Sequence, residues 1–171
     1  TGIVDPALNG KDVDINGYLI GVTGSSTKYA NIMMTSICEK GGTMLTPIGV
    51  LAASEAGEHK AEGVVIAKYA RGFLSSDGTG KMLVYNSKGY DVEEGDVVAV
   101  DGKTSLYSGL MQFNSPKVAK LERTAKVSQP VAQELTAADF TSYVTAPYYA
   151  YVTYTGKLSI TTNDKGATYY N

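Results

Sequence analysis

Residues 72–85 read Gly72-Phe-Leu-Ser-Ser-Asp-Gly-Thr-Gly-Lys-Met-Leu-Val-Tyr85, and this stretch decides the fold. Asp77-Gly-Thr-Gly80 is a tight turn with glycines where positive φ is needed. It separates two short segments, Gly72–Ser76 and Lys81–Tyr85, that suit paired strands. Working outward, Glu62-Gly-Val-Val-Ile-Ala-Lys-Tyr69 is a β-branched run expected as a preceding strand. Downstream, Gly95-Asp-Val-Val-Ala-Val-Asp-Gly102 opens on a turn glycine, alternates β-branched residues and ends on Asp-Gly. Lys117-Val-Ala-Lys-Leu-Glu122 is expected as the fifth strand. Five short strands with turn punctuation predict a small Greek-key barrel.

The same signals recur at both ends of the chain. Gly10-Lys-Asp-Val-Asp-Ile-Asn-Gly17 matches Gly95–Gly102 in pattern, and Tyr29-Ala-Asn-Ile-Met33 echoes Tyr107-Ser-Gly-Leu-Met111. Leu45-Thr46-Pro47 pairs with Leu135-Thr136-Ala137. Thr46 is expected to cap a short helix with Pro47 at its first position, and Thr136 with Asp139 reads as a capping box. Offsets of about 85–90 residues suggest a repeat. The expected fold class is therefore all-β: tandem OB-like five-stranded Greek-key barrels with short helices. Residues 45–127 are expected to form a complete barrel. Residues 1–40 plus 128–171 are expected to form a second, with late strands from the N-terminal piece and early strands from the C-terminal piece. Assembly within one chain, a strand-swapped dimer and a longer array are the three ways to satisfy the terminal strand edges.

In order, Gly63-Val-Val, Asp77-Gly-Thr-Gly80 and Gly95-Asp96-Val-Val-Ala-Val-Asp-Gly102 resemble the OB-fold of the nucleic-acid-binding, anticodon-binding-like type. That family runs "V-x-G-x-V", "D-G-T-G" and "G-D-x-V-x-V-x-G" across about 60 residues. The tandem arrangement and Tyr-rich strands are also similar to OB-like modules in secreted or surface lipoproteins of Gram-negative gut bacteria. The resemblance implies a ligand face on strands two and three. Residues expected to contact a ligand are Tyr69, Arg71, Phe73, Lys81 and Tyr85, with Tyr107 and Gln112 from a nearby loop that also holds Ser105. Phe73 is as readily a barrel-core residue as a stacking platform, because alternation puts it with Ser75 on one face and Leu74 with Ser76 on the other.

Composition narrows the function classes. The 171 residues carry 15 Lys plus Arg against 17 Asp plus Glu, for a net charge of −2. No global basic field favours polyanions. Aromatic content is 13 Tyr, 3 Phe and no Trp. The one cysteine, Cys38, rules out an intrachain disulfide and reads as a small hydrophobe. His59, the one histidine, falls in a polar loop, so neither a zinc site nor a His-based triad is expected. Gly78-Thr-Gly-Lys81 lacks the upstream glycine and the following Ser or Thr of a phosphate loop. Asp12, Asp14 and Asn16 read as the polar face of a strand and not as a calcium loop.

No metal, cofactor or catalytic residue is expected. The expectation is a non-catalytic extracytoplasmic interaction module of structural, adhesion, protein-binding or glycan-binding type. Single-stranded nucleic-acid binding is the alternative. The expected location is secreted, periplasmic or cell-surface, with a leader removed ahead of Thr1 and no transmembrane segment.

Overall fold

The computed structural model describes residues 4–170 and divides the chain into two compact units, Thr1–Ser128 and Gln129–Asn171. The first unit opens with a 3-10 turn, Pro6–Leu8, whose first free amide is capped by the Asp5 carboxylate (Ala7 N–H, 2.8 Å). Strands β1 (Val13–Thr23) and β2 (Tyr29–Glu39) follow as an antiparallel ribbon. Helix α1 (Ile48–Leu51) leads into β3 (Glu58–Tyr69), β4 (Gly72–Ser76), β5 (Lys81–Tyr85), β6 (Asp96–Tyr107), β7 (Leu110–Asn114) and β8 (Lys117–Thr124).

These later strands make one closed barrel. The order is β3-β4-β5-β7-β6, and β6 returns to pair with β3 from Glu58↔Lys103 to Val64↔Val97. All pairings are antiparallel except β5 with β7. β8 is an extra strand on the other edge of β6. The interior follows strand alternation. Phe73 and Ser75 of β4, Met82 and Val84 of β5, and Met111 and Phe113 of β7 are buried. Ile48 and Leu51 of α1 complete the same core. Phe73 meets Tyr90 edge-on, with ring centroids 5.5 Å apart.

One irregularity in β3 sets its outward face. Ala61, Gly63 and Val65 point inward, and a bulge between Val65 and Ala67 inserts Ile66 as an extra residue. Past the bulge, Ala67 pairs with Leu74 and Tyr69 with Gly72, which puts Tyr69 on the outer face.

The chain is mixed α/β and not all-β, and among the described residues one barrel closes where a tandem pair was expected. The sequence match at Gly10–Gly17 explains the difference. Asn16-Gly17 does not end a strand; β1 runs through it for 11 residues. The Ile32 side chain lies where a Gly17 Cβ would sit, 2.7 Å away. A long ribbon forms in place of a barrel corner. The fifth barrel strand is β7, and Lys117–Glu122 lies in β8 outside the closure. Asp101-Gly102 likewise lies within β6, where the strand changes partner from β3 to β7. Helix α1 begins one residue later than expected, with Pro47 as its cap residue and no side-chain cap from Thr46.

The ribbon has two chemically distinct faces. Register puts Ile15 with Ile37, Gly17 with Met34, Leu19 with Ile32, and Val22 with Ala30 on one of them. The opposite face carries Asp14, Asn16 and Tyr18 with Met33, Ser36 and Cys38.

The second unit holds β9 (Gln133–Glu134), α2 (Ala137–Thr145), β10 (Val152–Thr153), β11 (Ile160–Thr162) and β12 (Thr168–Tyr170). β9 pairs in parallel with β10, and β11 with β12 antiparallel. The expected capping box at α2 is present, with the Asp139 carboxylate accepting the Thr136 N–H at 2.7 Å. Phe140 packs edge-on against Tyr154 (5.3 Å), and Tyr143 against Tyr148 (5.7 Å). Among the described residues no helix is long and apolar enough to cross a membrane.

Candidate functional site: a tyrosine platform on the barrel

The outer face of β3, β4, β5 and β7 presents its own ordered set of side chains. One register row runs Tyr69, Gly72, Tyr85 and Asn114. The next runs Ala67, Leu74, Leu83 and Gln112. In the first row two tyrosines stand on either side of a glycine. Adjacent strands lie about 4.8 Å apart, so the two tyrosine backbones are separated by about 10 Å. Gly72 is buried between them, while Tyr69 is 50% exposed and Tyr85 half-buried. Cross-strand tyrosines covering a glycine stabilise a sheet in their own right. Here they also leave a phenol platform facing solvent. The glycine has a backbone cause as well: a Cβ at position 72 would lie 2.0 Å from the Val84 carbonyl oxygen.

Arg71 and Tyr107 complete the group. Arg71 is exposed in the β3–β4 turn, and Tyr107 is 66% exposed at the end of β6. Withdrawal from water raises the Tyr69 hydroxyl pKa above 10.0. Tyr85 and Tyr107 push it in the same direction and the Arg71 guanidinium opposes them, so all four groups act on one another. The turn that presents Tyr107 is a two-residue hairpin, Ser108-Gly109, with φ of 49° and 79°. Positive φ at both positions is the geometry that lets a hairpin follow the twist of its strands.

Beside the platform a cleft of about 640 Å³ is lined by Lys68, Tyr69, Ala70, Lys88, Gly89, Tyr90 and Asp91. Lys68 is anchored there, donating to the Val92 carbonyl at 3.2 Å and to Glu93 at 2.7 Å. The Tyr90 hydroxyl donates to the Pro116 carbonyl at 3.0 Å, which fixes the cleft's rear wall.

The structure thus brings together Tyr69, Arg71, Tyr85 and Tyr107 of the expected contact residues. It places the other three elsewhere. Phe73 is fully buried in the barrel core. Lys81 sits opposite Ser76 at the far end of the β4–β5 hairpin from Tyr85, about 13 Å along the strand. Gln112 lies on a strand, not in a loop, and is 7% exposed beside Leu83 and Ser105. Two groups were absent from the expected set. Exposed Asn114 neighbours Tyr85 across β5–β7, and Lys88 and Asp91 line the cleft. Alternation along Leu110-Met-Gln-Phe-Asn114, with Met111 and Phe113 inward, is the sequence signal that points to Asn114.

The platform is poor in charge and rich in hydroxyl and amide groups. Among the described residues no three His, Cys, Asp or Glu side chains converge to hold a metal ion. No family model, no curated protein and no solved structure matches the chain.

Proposed function

We propose that the chain is an interaction module of OB-fold type that binds a neutral glycan across Tyr69, Tyr85 and Tyr107. The observation that carries the reading is the Tyr69–Gly72–Tyr85 row on an open barrel face. The strand order, with its single parallel pairing of β5 to β7, supports the OB-fold assignment. Tyrosine offers a flat apolar body with a polar tip at low side-chain entropy cost, which suits a ligand with apolar ring faces and hydroxyl edges. Asn114 and Arg71 supply hydrogen bonds at the margin of the platform. A single-stranded nucleic-acid site would need a run of cations to track phosphates. This face has Arg71 at one end and Lys81 at the other.

The test is affinity electrophoresis of the full chain through gels containing neutral polysaccharides, alongside titration with an oligothymidine. Retardation by at least one neutral polysaccharide is expected, unchanged between low and physiological salt. Tyr85→Ala and Tyr69→Ala should each weaken it about tenfold, or about 1.4 kcal/mol. No retardation by any polysaccharide overturns the reading. Salt-sensitive oligothymidine binding lost on Arg71→Ala replaces it with a nucleic-acid reading.

A further inference from the structure

We infer that the β1–β2 ribbon is a self-association surface through which two copies of this chain pack, aliphatic face to aliphatic face, about a two-fold axis. The ribbon pairs only with itself among the described strands. An isolated two-stranded ribbon is marginal in water, because one face must be covered for it to hold its register. Ile15, Leu19 and Val22 on β1 and Ile32 on β2 share that face, and they are 42%, 65%, 58% and 44% exposed. A continuous aliphatic strip of this kind is what monomeric surfaces avoid.

Three features favour a second copy as the occupant. The strip is uniform along its length, so it is complementary to itself under a two-fold rotation, as an isologous interface requires. Its size is adequate. Eleven-residue strands make a ribbon about 35 Å long and about 10 Å wide, and two facing ribbons remove on the order of 1,000 Å² of surface in total, the lower bound for a specific interface.

The charges also match an antiparallel arrangement. The loop end of the ribbon carries Lys28, whose ammonium donates to the Gly24 carbonyl at 2.8 Å. The opposite end carries three carboxylates, Asp12, Asp14 and Glu39, against two ammonium groups, Lys11 and Lys40. Lys11 pairs with Glu39 and Lys40 with Asp12. A two-fold axis across the ribbon brings each Lys28 to the acidic end of the other copy.

The test uses two adjacent residues that point to opposite faces. Leu19 lies on the aliphatic face and Tyr18, 70% exposed, on the other. Sedimentation velocity of the full chain from about 1 to about 100 µM spans the affinity such an interface supports. A concentration-dependent shift from monomer to dimer mass is expected. Leu19→Lys should weaken it at least about tenfold, and Tyr18→Lys should leave it in place. Circular dichroism of both variants checks that the barrel is intact. A wild-type chain that stays monomeric throughout overturns the inference. So does a Leu19→Lys chain that dimerises like wild type, or an equal loss with Tyr18→Lys. Glycan binding by the barrel face reads out separately, so failure of one proposal leaves the other distinguishable.

Discussion

The Asp77 carboxylate accepts the Ile48 backbone N–H at 2.8 Å, tying the β4–β5 turn to the first turn of helix α1. The other oxygen of the same carboxylate accepts from the Thr79 N–H at 2.9 Å, the Thr79 hydroxyl at 2.7 Å and the Gly80 N–H at 3.2 Å. Thr79 in turn accepts from the Gly49 N–H at 3.0 Å. A turn residue therefore caps a helix that has no cap of its own. Asp77→Ala should cost about 1–2 kcal/mol of unfolding free energy, the range for losing a helix cap. Urea denaturation measures it directly. An unchanged midpoint would mean that the Ile48 and Leu51 packing alone holds α1 on the barrel.

Asp77 and Asp96 also set the acid limit of stability. Loss of water pushes the Asp77 pKa up, but its hydrogen bonds to Thr79, Ile48 and Gly80 outweigh this and hold it below 3.8. The Lys120 ammonium, 2.8 Å from Asp96, and the Glu93 amide hold the Asp96 pKa below 3.8 too. A depressed folded-state pKa means the unfolded chain takes up protons first as pH falls. The stabilisation is complete above the unfolded value of about 4 and is lost as pH drops through the folded values. The same pairing with Asp96 raises Lys120 above 10.5, so its contribution is complete below that value and lost as pH rises through the folded one. A thermal-melting profile against pH should be flat between these limits and fall at both ends. Asp96→Asn should shrink both falls together.

Ser75 offers the opposite kind of test. Its hydroxyl is buried in the barrel beneath Gly63 and finds no hydrogen-bond partner in the chain. A buried hydroxyl without a partner costs stability, and removing it leaves only a small void. Ser75→Ala is expected to stabilise the barrel by up to about 1 kcal/mol. A destabilised variant in a chemical melt would show that the hydroxyl is bridged by buried water.

The Ser108-Gly109 turn is a third lever. Ser108 sits at φ 49°, where asparagine is better tolerated than serine. Ser108→Asn creates an Asn-Gly hairpin turn and should raise the unfolding free energy by up to about 1 kcal/mol without disturbing Tyr107. Melting temperature checks the first part, and polysaccharide binding the second.

The β4–turn–β5 hairpin was legible because Asp-Gly-Thr-Gly sits between two short runs and alternation does the rest. Tyr69, Arg71, Tyr85 and Tyr107 were legible as members of one face because the hairpin register follows from that turn. The barrel's fifth strand was not. Lys117–Glu122 has cleaner alternation than Leu110–Asn114, and only the pairing of β7 between β5 and β6 distinguishes them. Asp101-Gly102 and Asn16-Gly17 misled for a shared reason. Dipeptides that favour tight turns are also accommodated inside strands when a neighbour occupies the space above the glycine, here Pro116 in one case and Ile32 in the other. Phe73 could not be placed from local pattern, because period-two alternation defines two faces but not which of them is inside.

The single extra residue at Ile66 works as a parity switch. Without it, position 69 would fall in phase with 61, 63 and 65, and a tyrosine would be driven into an interior already filled by Phe73, Val84 and Phe113. Deleting one residue from β3 would therefore erase a surface feature and overfill a core in the same event. Genetic drift in the length of this strand is constrained more tightly than drift in its composition: many residues fit at position 66, but zero residues do not.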